Sequence, residues 1–296
     1  MDYKKIIKRP ETRQKILSLF NFIPDKQMVK LQYQIKTGRK LDLKNPVRYT
    51  EKIQWYKLNV RNPIMHTCVD KYDVRNYIRE KGYSELLTKC YGVYEKVADI
   101  KFESLPDRFV MKKTNGGGGL NILICKDKST LKREKARSLL DNWLKAASKR
   151  GGGREWAYYG LKSKIIIEEY LENEENPDAG INDYKIFCFN GKAKFLVVDI
   201  DRYVGHKRNF YDLQWNNMHV VSDCPAADRE IPKPRNFSTM LQIAEALSKD
   251  FQHVRVDLYN INGKIYFSEL TFYPWSGYVQ FIPDEFDFKL GSFFEL

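Results

Sequence analysis

The sequence of 296 residues lacks the features that mark several common classes of protein. No apolar run approaches the roughly 18 residues that a membrane-spanning helix needs. The opening residues, MDYKKIIKRP, have no apolar core of the kind found in signal peptides. The five cysteines stand far apart without a CxxC pair, which argues against a disulfide framework or a zinc site. We therefore expect a cytoplasmic protein with reduced cysteines.

Two common nucleotide-binding motifs are also missing. No GxGxxG follows a strand pattern and opens a helix, which argues against a Rossmann dinucleotide site. The stretch KKTNGGGG does not match GxxxxGK[ST], so it is not a Walker P-loop. Hydrophobic residues make up 43% of the chain, enough for a sizeable core, and helical patterns are mixed with antiparallel hairpin signals. This mixture predicts an α+β fold.

Positive charge is concentrated at the start of the chain. The net charge is +13, and residues 1–40 alone hold eleven Lys/Arg against three Asp/Glu. Such an excess suggests a polyanionic partner, although a solvated helix face is an equally good interpretation. Because a nucleic-acid binder would explain only this segment, we expect no nucleic-acid partner. We predict instead that the basic N-terminus makes peripheral contact with an anionic membrane surface.

Turns that contain glycine separate several apolar runs and predict antiparallel strands. RFVMKK and NILICK flank the glycine run, and Asn190-Gly191 and Asn262-Gly263 each join two strand patterns into a hairpin. Residues 201 to about 236, between the two hairpins, are predicted to form a polar loop.

Helices are predicted in three places before the hairpins. One follows an N-cap at Thr50, and one covers KYDVRNYIREKG and stops at Gly82. A third begins at Ser129 and has an apolar face formed by Leu131, Leu139, Leu140, Trp143, Leu144 and Ala147.

The glycine run is the first candidate binding element. Lys112 and Lys113 end the strand pattern that precedes Gly116, Gly117, Gly118 and Gly119. Glycines allow backbone N–H groups to turn toward a phosphate oxygen, and a lysine supplies positive charge. From this pattern alone, a phosphate-covering loop and an ordinary flexible hairpin tip are equally good interpretations.

A buried strand pattern that runs into acidic residues is the second candidate. In IIIEEYLENEEN the backbone could pair with the edge of an adenine ring, and Glu172, Glu174 or Glu175 could accept hydrogen bonds from ribose hydroxyls. Taken alone, an edge strand with a solvated acidic end is the better interpretation.

The last hairpin carries the third candidate. Asp257 and Glu269 lie on its two arms, five and six residues from the turn, so they should be nearly opposite. Neighbouring carboxylates repel unless a cation joins them, and paired hard oxygens suit Mg²⁺ with substrate phosphates. Arg255 lies two residues before Asp257, on the same strand face. A structural ion network is the alternative, but the upstream glycine–lysine loop favours a nucleotide–metal site.

Taken in this order, the clusters resemble the ATP-grasp superfamily. DKYDVRNYI resembles its leading segment and implies that Lys71 contacts ATP phosphates, while FVMK implies a second phosphate lysine at Lys112 and the glycines a covering loop. EEYL resembles the adenine hinge, which implies nucleotide-binding roles for Glu168, Glu169, Tyr170 and Leu171. Glu168 would approach the adenine amino group, the Leu171 backbone would bond the ring, and Glu175 would hold the ribose.

The same resemblance extends to the catalytic and metal-binding residues. DYK resembles the Asp-x-Lys/Arg step after the hinge and implicates Lys185 in catalysis. RVD and ExTxxPxxG resemble R-x-D and E-x-N-x-x-P-G. They imply that Asp257 and Glu269 bind Mg²⁺ and that Arg255 stabilises the transferring phosphate. Thr271 stands where the superfamily usually has an asparagine metal ligand.

Six separated blocks resemble one branch, the TupA-like ATP-grasp proteins of teichuronopeptide and capsular polysaccharide assembly. They are LDLKNPVRYTEKIQWYKL, LPDRFVMK, GREWAY, DYKIFCFNGK, HKRNFYDLQW and VRVDLYNINGKIYFSELTFYPWSG. The resemblance implies two α+β subdomains that grip ATP, behind a helical N-terminal region. We accordingly divide the chain into a basic helical region, a helical lead-in, a lid subdomain and a C-terminal subdomain with the metal site, at 1–60, 61–105, 106–182 and 183–296.

The implied activity is ATP- and Mg²⁺-dependent ligation of a carboxylate to an amine through an acylphosphate. The carboxylate would belong to a glycan uronic acid or an amino acid, and Arg202, His206, Lys207 and Arg208 would bind this anionic substrate. A sugar kinase on the same ATP scaffold is the first alternative, and a glycosyltransferase the second. For the latter, DID at 199–201 has the spelling of an Asp-x-Asp site but lies in a strand pattern.

Overall fold

The computed structural model describes residues 17, 19–117, 119–145, 152–173 and 176–296. The predictions made for residues 1–16 and for Gly118, Glu174 and Glu175 therefore lie outside the described residues. The helices of the described part are α1 (Asp25–Thr37), α2 (Tyr49–Asn59), α3 (Ile64–Val69), α4 (Val74–Glu80), α5 (Arg133–Lys145), α6 (Phe237–Ser248) and α7 (Glu285–Phe293). None of these helices combines the length and apolar character that a membrane crossing requires.

Nine strands in the described part form two antiparallel sheets. The small sheet has the order β1-β4-β2-β3 and the large sheet the order β7-β6-β5-β8-β9. The strands are β1 (Cys90–Tyr94), β2 (Phe109–Lys113), β3 (Ile122–Cys125), β4 (Ile165–Glu169), β5 (Asp183–Phe189), β6 (Lys192–Ile200), β7 (Lys207–Tyr211), β8 (His253–Ile261) and β9 (Lys264–Thr271). Helices packed on antiparallel sheets confirm the predicted α+β class.

Alternation along the small sheet separates a core face from a polar face. Phe109 and Met111 of β2 pack with Leu140 and Trp143 of α5 in one apolar cluster. Val110 and Lys112 point to the opposite face, because successive strand residues alternate. The helix begins at Arg133, later than predicted. Leu140 and Trp143 confirm the predicted apolar face of this helix, whereas Leu139 is 40% exposed and does not belong to it. Ala147 lies outside the described residues.

Both predicted hairpins of the large sheet are present. Asn190 and Gly191 have φ of 49° and 74°, and Asn262 and Gly263 have φ of 51° and 83°. Two consecutive positive φ values are what a two-residue turn of type I′ requires, and Asn-Gly adopts them at little cost.

One face of the large sheet is divided along its strands into an aromatic half and a charged half. At one end of β5, Phe187 and Phe189 stack against His253 of β8. At the other end, Asp183 and Lys185 follow the same face. The aromatic half is covered by α2 and α7, and α6 packs on the reverse face of the sheet. The charged half is left free to face the small sheet.

Two local predictions are wrong. The segment from 201 to 236 is not a continuous loop, because it contains β7, which pairs with β6 through Val197↔Phe210 and its neighbours. The charged run HKR overlaps the start of β7, so this edge strand was not recognised from the sequence. Charged residues are common in edge strands. Thr50 is not the N-cap of α2; its hydroxyl instead donates to Asp287 Oδ2 at 2.7 Å.

His253 gives the fold a pH-dependent component of stability. Its Nδ1 donates to the Cys188 carbonyl oxygen at 3.0 Å, and its Nε2 accepts from the Tyr49 hydroxyl at 2.9 Å. Burial lowers the pKa of His253 to about 3 from an ordinary 6.5. The unfolded chain therefore takes up a proton first as the pH falls. The contribution is complete above pH 6.5 and is lost as the pH falls toward 3.

We expect that lowering the pH from 7.5 to 5 removes about 2 kcal/mol of stability through this group. Urea unfolding of the His253→Phe variant should give a lower free energy of unfolding overall. The decrease in that free energy between pH 7.5 and pH 5 should be smaller than in the wild-type protein by this amount. His219→Gln, a change at an exposed histidine, is the control and should keep the wild-type slope. An equal slope in all three proteins would contradict the assignment.

Candidate active site

A cavity of about 440 Å³ lies between the two sheets. Val110 and Lys112 of β2 form part of its wall on the small-sheet side, and Tyr259 and Phe267 form part of its wall on the large-sheet side. The segment after β4, including Tyr170 and Leu171, lines the cavity where the chain crosses between the sheets. Residues that are far apart in the sequence thus meet around one cleft.

The small-sheet wall carries a buried charge cluster centred on Glu168. Lys112 Nζ lies 3.0 Å from Glu168 Oε2, while Arg75 NH1 lies 3.1 Å and Thr88 Oγ1 2.7 Å from Oε1. Burial would raise the pKa of Glu168, but Lys112, Thr88 and Arg75 outweigh it and lower the pKa. The carboxylate therefore stays ionised and fixes the lysine at the cleft.

This arrangement modifies the role predicted for Glu168. Its carboxylate already accepts three hydrogen bonds from protein groups, so it is better placed to orient Lys112 than to meet an adenine amino group. Arg75 and Thr88 were not predicted as site residues. Arg75 could have been suspected from its place four residues after Lys71, but nothing in the sequence links Thr88 to the cleft.

Lys71 joins the glycine loop to the opposite sheet. Its backbone N–H donates to the Thr114 carbonyl at 2.9 Å, and its Nζ donates to the Gly116 carbonyl. The same Nζ lies 3.9 Å from Glu269 Oε2. Gly119 has φ 71°, and a Cβ there would lie 3.7 Å from Arg202 NH2. The loop thus approaches both walls of the cleft.

The hinge segment, residues 168–171, is held by its neighbours. Glu169 Oε1 accepts from the Lys89 N–H at 2.7 Å, and the guanidinium of Arg108 lies 4.7 Å from the centre of the Tyr170 ring. Tyr170 and Leu171 both line the cavity. Backbone and apolar surface are therefore available where the resemblance implies adenine.

Four residues of β8 and β9, Arg255, Asp257, Glu269 and Thr271, form what we name the carboxylate cluster. Asp257 pairs directly with Glu269 in the sheet, and Arg255 pairs with Thr271. Arg255 NH2 lies 2.6 Å from Asp257 Oδ2, 3.4 Å from Glu269 Oε1 and 3.0 Å from Thr271 Oγ1. Oxygen atoms of all three residues thus converge on one cationic nitrogen.

Charge in the carboxylate cluster is finely balanced. Burial raises the pKa of Asp257 to about 6 against the opposing effect of Arg255 and Lys185. Burial would also raise the pKa of Glu269, but Lys71, Arg255 and Lys185 outweigh this effect and lower the pKa to about 2. Lys185 Nζ lies 3.2 Å from Asp257 Oδ2 and also contacts Asp183. When Asp257 and Glu269 are both ionised, nearby cations are therefore needed to offset their mutual repulsion.

The donor set of the carboxylate cluster fits Mg²⁺ with phosphates rather than an all-protein metal site. In the described residues, no group of three or more His, Cys, Asp or Glu could hold a metal ion. Two carboxylates and a hydroxyl oxygen nevertheless converge on one positive centre. Mg²⁺ commonly takes one or two carboxylates and completes its shell with water and phosphate oxygens.

The four residues predicted to bind an anionic substrate differ in their surroundings. Arg202 lines the cavity, and its NH1 lies 2.7 Å from Asp183 Oδ2. His206 also lines the cavity, and Lys207 begins β7. Arg208 is 8% exposed and is bound by Asp199 at 2.6 Å and Asp223 at 2.5 Å. Since its donors are committed to two aspartates, Arg208 is a poor ligand for a substrate anion.

Both aspartates of the DID stretch form ion pairs with arginines. Asp199 binds Arg208, and Asp201 Oδ2 lies 2.7 Å from Arg229 NH1. Asp183 and Asp199 were not predicted as site residues. They could have been noticed as the acids of DYK and DID, but their partners depend on the pairing of β5, β6 and β7.

Comparison with known proteins gives a family. A family model described as TupA-like ATPgrasp matches residues 51–295. The chain belongs to the TupA-like ATP-grasp family. This membership confirms the resemblance drawn from the six sequence blocks, and with it the ATP-grasp fold. The roles assigned to individual residues remain predictions.

The TupA-like chain is also similar to solved structures. D-alanine–D-alanine ligase from Bacillus anthracis is 20% identical, with a TM-score of 0.41 over 69% of this chain and 57% of that one. The corresponding ligase from Helicobacter pylori is 15% identical, with a TM-score of 0.44 over 77% and 58%. An L-amino acid ligase from Bacillus licheniformis is 14% identical, with a TM-score of 0.46 over 77% and 49%. The chain thus spans about half to three fifths of their lengths, and no curated protein sequence matches it.

Proposed function

We propose that this TupA-like ATP-grasp protein is an ATP- and Mg²⁺-dependent carboxylate–amine ligase of cell-surface polysaccharide biosynthesis. The observation that carries the proposal is the meeting of two charge clusters at one cleft. Lys112 and Glu168 lie on the small-sheet wall, and Lys71 links the glycine loop to Glu269 of the carboxylate cluster. Membership of the ATP-grasp family supports ligation as the reaction type.

ATP is assigned to the cavity between the sheets. Its adenine would lie against the hinge segment, beside Tyr170 and Leu171. Lys112 and Lys71 would neutralise the phosphates, and the glycine loop would cover them with backbone N–H groups. Burial lowers the pKa of Lys71, and the nearby Glu269 opposes this effect. A bound phosphate would favour the charged lysine in the same way.

Mg²⁺ is assigned to Asp257, Glu269 and Thr271 of the carboxylate cluster. When bound, it would supply positive charge that neutralises the charge developing on the phosphates during transfer. Arg255 now contacts all three residues, and it would turn its guanidinium toward the transferring phosphate. Lys185 keeps Asp257 paired throughout.

The reaction divides into two steps. The substrate carboxylate attacks the γ-phosphate of ATP, which gives an acylphosphate and ADP. An amine then attacks the acyl carbon, an amide forms and phosphate leaves. No side-chain nucleophile is needed, because positioning and charge neutralisation supply most of the rate.

The acceptor is proposed to be the carboxylate of a glycan uronic acid or of an amino acid, and the amine an amino acid or amino sugar. Arg202 at the cavity wall and Lys207 at the start of β7 are the cations proposed to bind this carboxylate. The polysaccharide role rests on the resemblance to the TupA-like branch.

The decisive experiment measures ATP-dependent phosphate release against a panel of uronic acids and amino acids, each with and without an amine. Mass spectrometry then identifies the product. We expect an amide and one phosphate for each ATP consumed. A phosphorylated sugar as the stable product would replace the ligase by a sugar kinase. Transfer from a sugar nucleotide without ATP would replace it by a glycosyltransferase.

We also propose that the protein is cytoplasmic and works at the inner face of the membrane, with residues 1–24 adding affinity for anionic lipid. In the described part of this segment, Leu19 and Phe22 are 72% and 79% exposed. Each basic residue near an anionic surface contributes about 1 kcal/mol, and salt weakens the attraction.

Deleting residues 1–24 is therefore expected to reduce co-sedimentation with phosphatidylserine vesicles at low salt. Neutral phosphatidylcholine vesicles are the control and should bind neither protein. Unchanged co-sedimentation after the deletion would leave the segment with a structural role only.

A further inference from the structure

A histidine–aspartate pair stands at the wall of the cleft. His206 lines the cavity, and its Nε2 lies 3.2 Å from Asp199 Oδ1. The side chain of Asp199 is 1% exposed, whereas that of His206 is 34% exposed. One edge of the imidazole thus faces a buried carboxylate, and the remainder is open to the cleft.

The surroundings keep Asp199 ionised. Arg208 Nε and NH2 lie 2.6 and 3.1 Å from its two oxygens, and Lys185 Nζ lies 3.7 Å away. Burial would raise the pKa of Asp199, but His206, Arg208 and Lys185 hold it far below its ordinary value. His206 Nε2 is buried, and its 3.2 Å approach to Asp199 is an ion-pair contact without hydrogen-bond geometry. A carboxylate only accepts, so the hydrogen is assigned to the ring nitrogen on this side. The other nitrogen, Nδ1, is then left with a lone pair.

We propose that His206 is the general base that takes a proton from the amine substrate and that Asp199 is its positioning residue. The proposal rests on the ligase function proposed above. The amine arrives as R–NH₃⁺ and passes one proton to Nδ1 of His206. Its nitrogen then forms the C–N bond as the C–O bond to phosphate breaks. The second proton leaves with the departing phosphate, and His206 releases the first to water.

Three other ionisable groups of the cleft have roles that do not suit this task. Lys71 and Lys112 are phosphate cations, and Glu168 is a weak base because three donors lower its basicity. His206 is the one imidazole among the described residues that line the cavity. An imidazole already oriented on a buried carboxylate is better suited to receive a proton than to bind an anion, the role predicted for it from sequence.

The charged groups around the pair come from several elements. Asp183 and Lys185 lie on β5, Asp199 on β6 and Arg208 on β7. Asp223 binds Arg208, and the thiol of Cys224 donates to the His206 carbonyl at 3.2 Å. Among these groups, Asp199 is the acid at contact distance from the imidazole, so the positioning role is assigned to it.

The test compares two nucleophiles in the His206→Gln variant. Glucuronate and glutamate serve as carboxylate probes, with ATP, Mg²⁺ and either glycine or hydroxylamine. Glycine is protonated at pH 7 and needs a base, whereas hydroxylamine is neutral and does not. We expect amide formation with glycine to fall by about 10²–10⁴-fold, the usual contribution of a general base. Hydroxamate formation should stay near the wild-type rate.

Equal losses with both nucleophiles would overturn the proposal, because they would indicate a role in carboxylate binding or in phosphoryl transfer. Unchanged rates with both would overturn it as well. If the wild-type protein forms neither product with any carboxylate, the ligase function itself fails. The two failures are therefore distinguishable.

Two further measurements test the positioning role. Nitrogen-resolved NMR of the wild-type protein should show His206 with its hydrogen on Nε2, and the opposite tautomer would overturn the pairing. Asp199→Asn should reduce amide formation with glycine and leave hydroxamate formation near the wild-type rate, as His206→Gln does, because the imidazole loses the carboxylate that orients it. A folded variant with wild-type amide formation would contradict the role of Asp199.

Discussion

Replacing Asp257 by asparagine is expected to abolish turnover, by a factor on the order of 10³ or more, the scale of a lost charge-stabilising group at a transferring phosphoryl. The change removes a negative oxygen from the proposed Mg²⁺ site. It also acts on the fold, since Asp257 is 1% exposed and accepts from Arg255 at 2.7 and 2.6 Å. Asparagine keeps one acceptor oxygen, so we expect a loss of stability of about 1–3 kcal/mol.

Loss of activity alone does not separate a metal ligand from a structural ion pair, so the measurement is thermal unfolding with and without Mg-ATP. A ligand at 100 times its Kd stabilises a protein by about 2.7 kcal/mol. The wild-type protein should show this stabilisation and the Asp257→Asn variant should not.

Asp287→Asn is the matched control. Asp287 is also 1% exposed and bound by an arginine, Arg48, but that arginine belongs to the packing of α2 on α7. The control should lose stability in the same range and keep both activity and the response to Mg-ATP. If Asp257→Asn responds to Mg-ATP like the control, Asp257 is a structural partner of Arg255 and the metal assignment fails.

The sequence predicted that Asp257 lies opposite Glu269, and a bulge in the hairpin explains why this pairing occurs. The two residues are five and six positions from the same turn, and equal spacing would be needed in a regular hairpin. The sheet contains a bulge between Asp257 and Leu258, where one extra residue of β9 is accommodated. The bulge restores the direct pairing. Turn chemistry is local, which is why this part of the site was predictable.

The ion pairs across the cleft were not predictable in the same way. Arg75 and Glu168 are 93 positions apart and lie on different elements, α4 and β4. Arg208 had the sequence features of an exposed substrate ligand, because it follows His206 and Lys207 in the charged run HKR. Its burial against Asp199 depends on β7 joining the edge of the large sheet. Such partners follow from tertiary pairing, which periodicity along the chain does not encode.

Replacing Lys112 by alanine is expected to weaken ATP binding by about 1.5–3 kcal/mol, roughly 10- to 150-fold in Kd. Lys112 is held at the cleft by Glu168 at 3.0 Å. Burial would lower the pKa of Lys112, but Glu168 outweighs it and raises the pKa above its ordinary value. The lysine therefore keeps its charge near neutral pH and can make a charge-assisted contact with phosphate.

Lys113→Ala is the matched control, because successive residues of β2 point to opposite faces of the sheet. Lys112 lines the cavity, and Lys113 is on the reverse face. Calorimetry of Mg-ATP binding should show near wild-type affinity for the Lys113 variant and a marked loss for the Lys112 variant. Glu168 keeps Arg75 and Thr88 as partners when Lys112 is removed, so the fold should survive the change. Equal affinities in the two variants would show that the ATP phosphates do not bind at Lys112. The role proposed for the glycine loop would then fail as well.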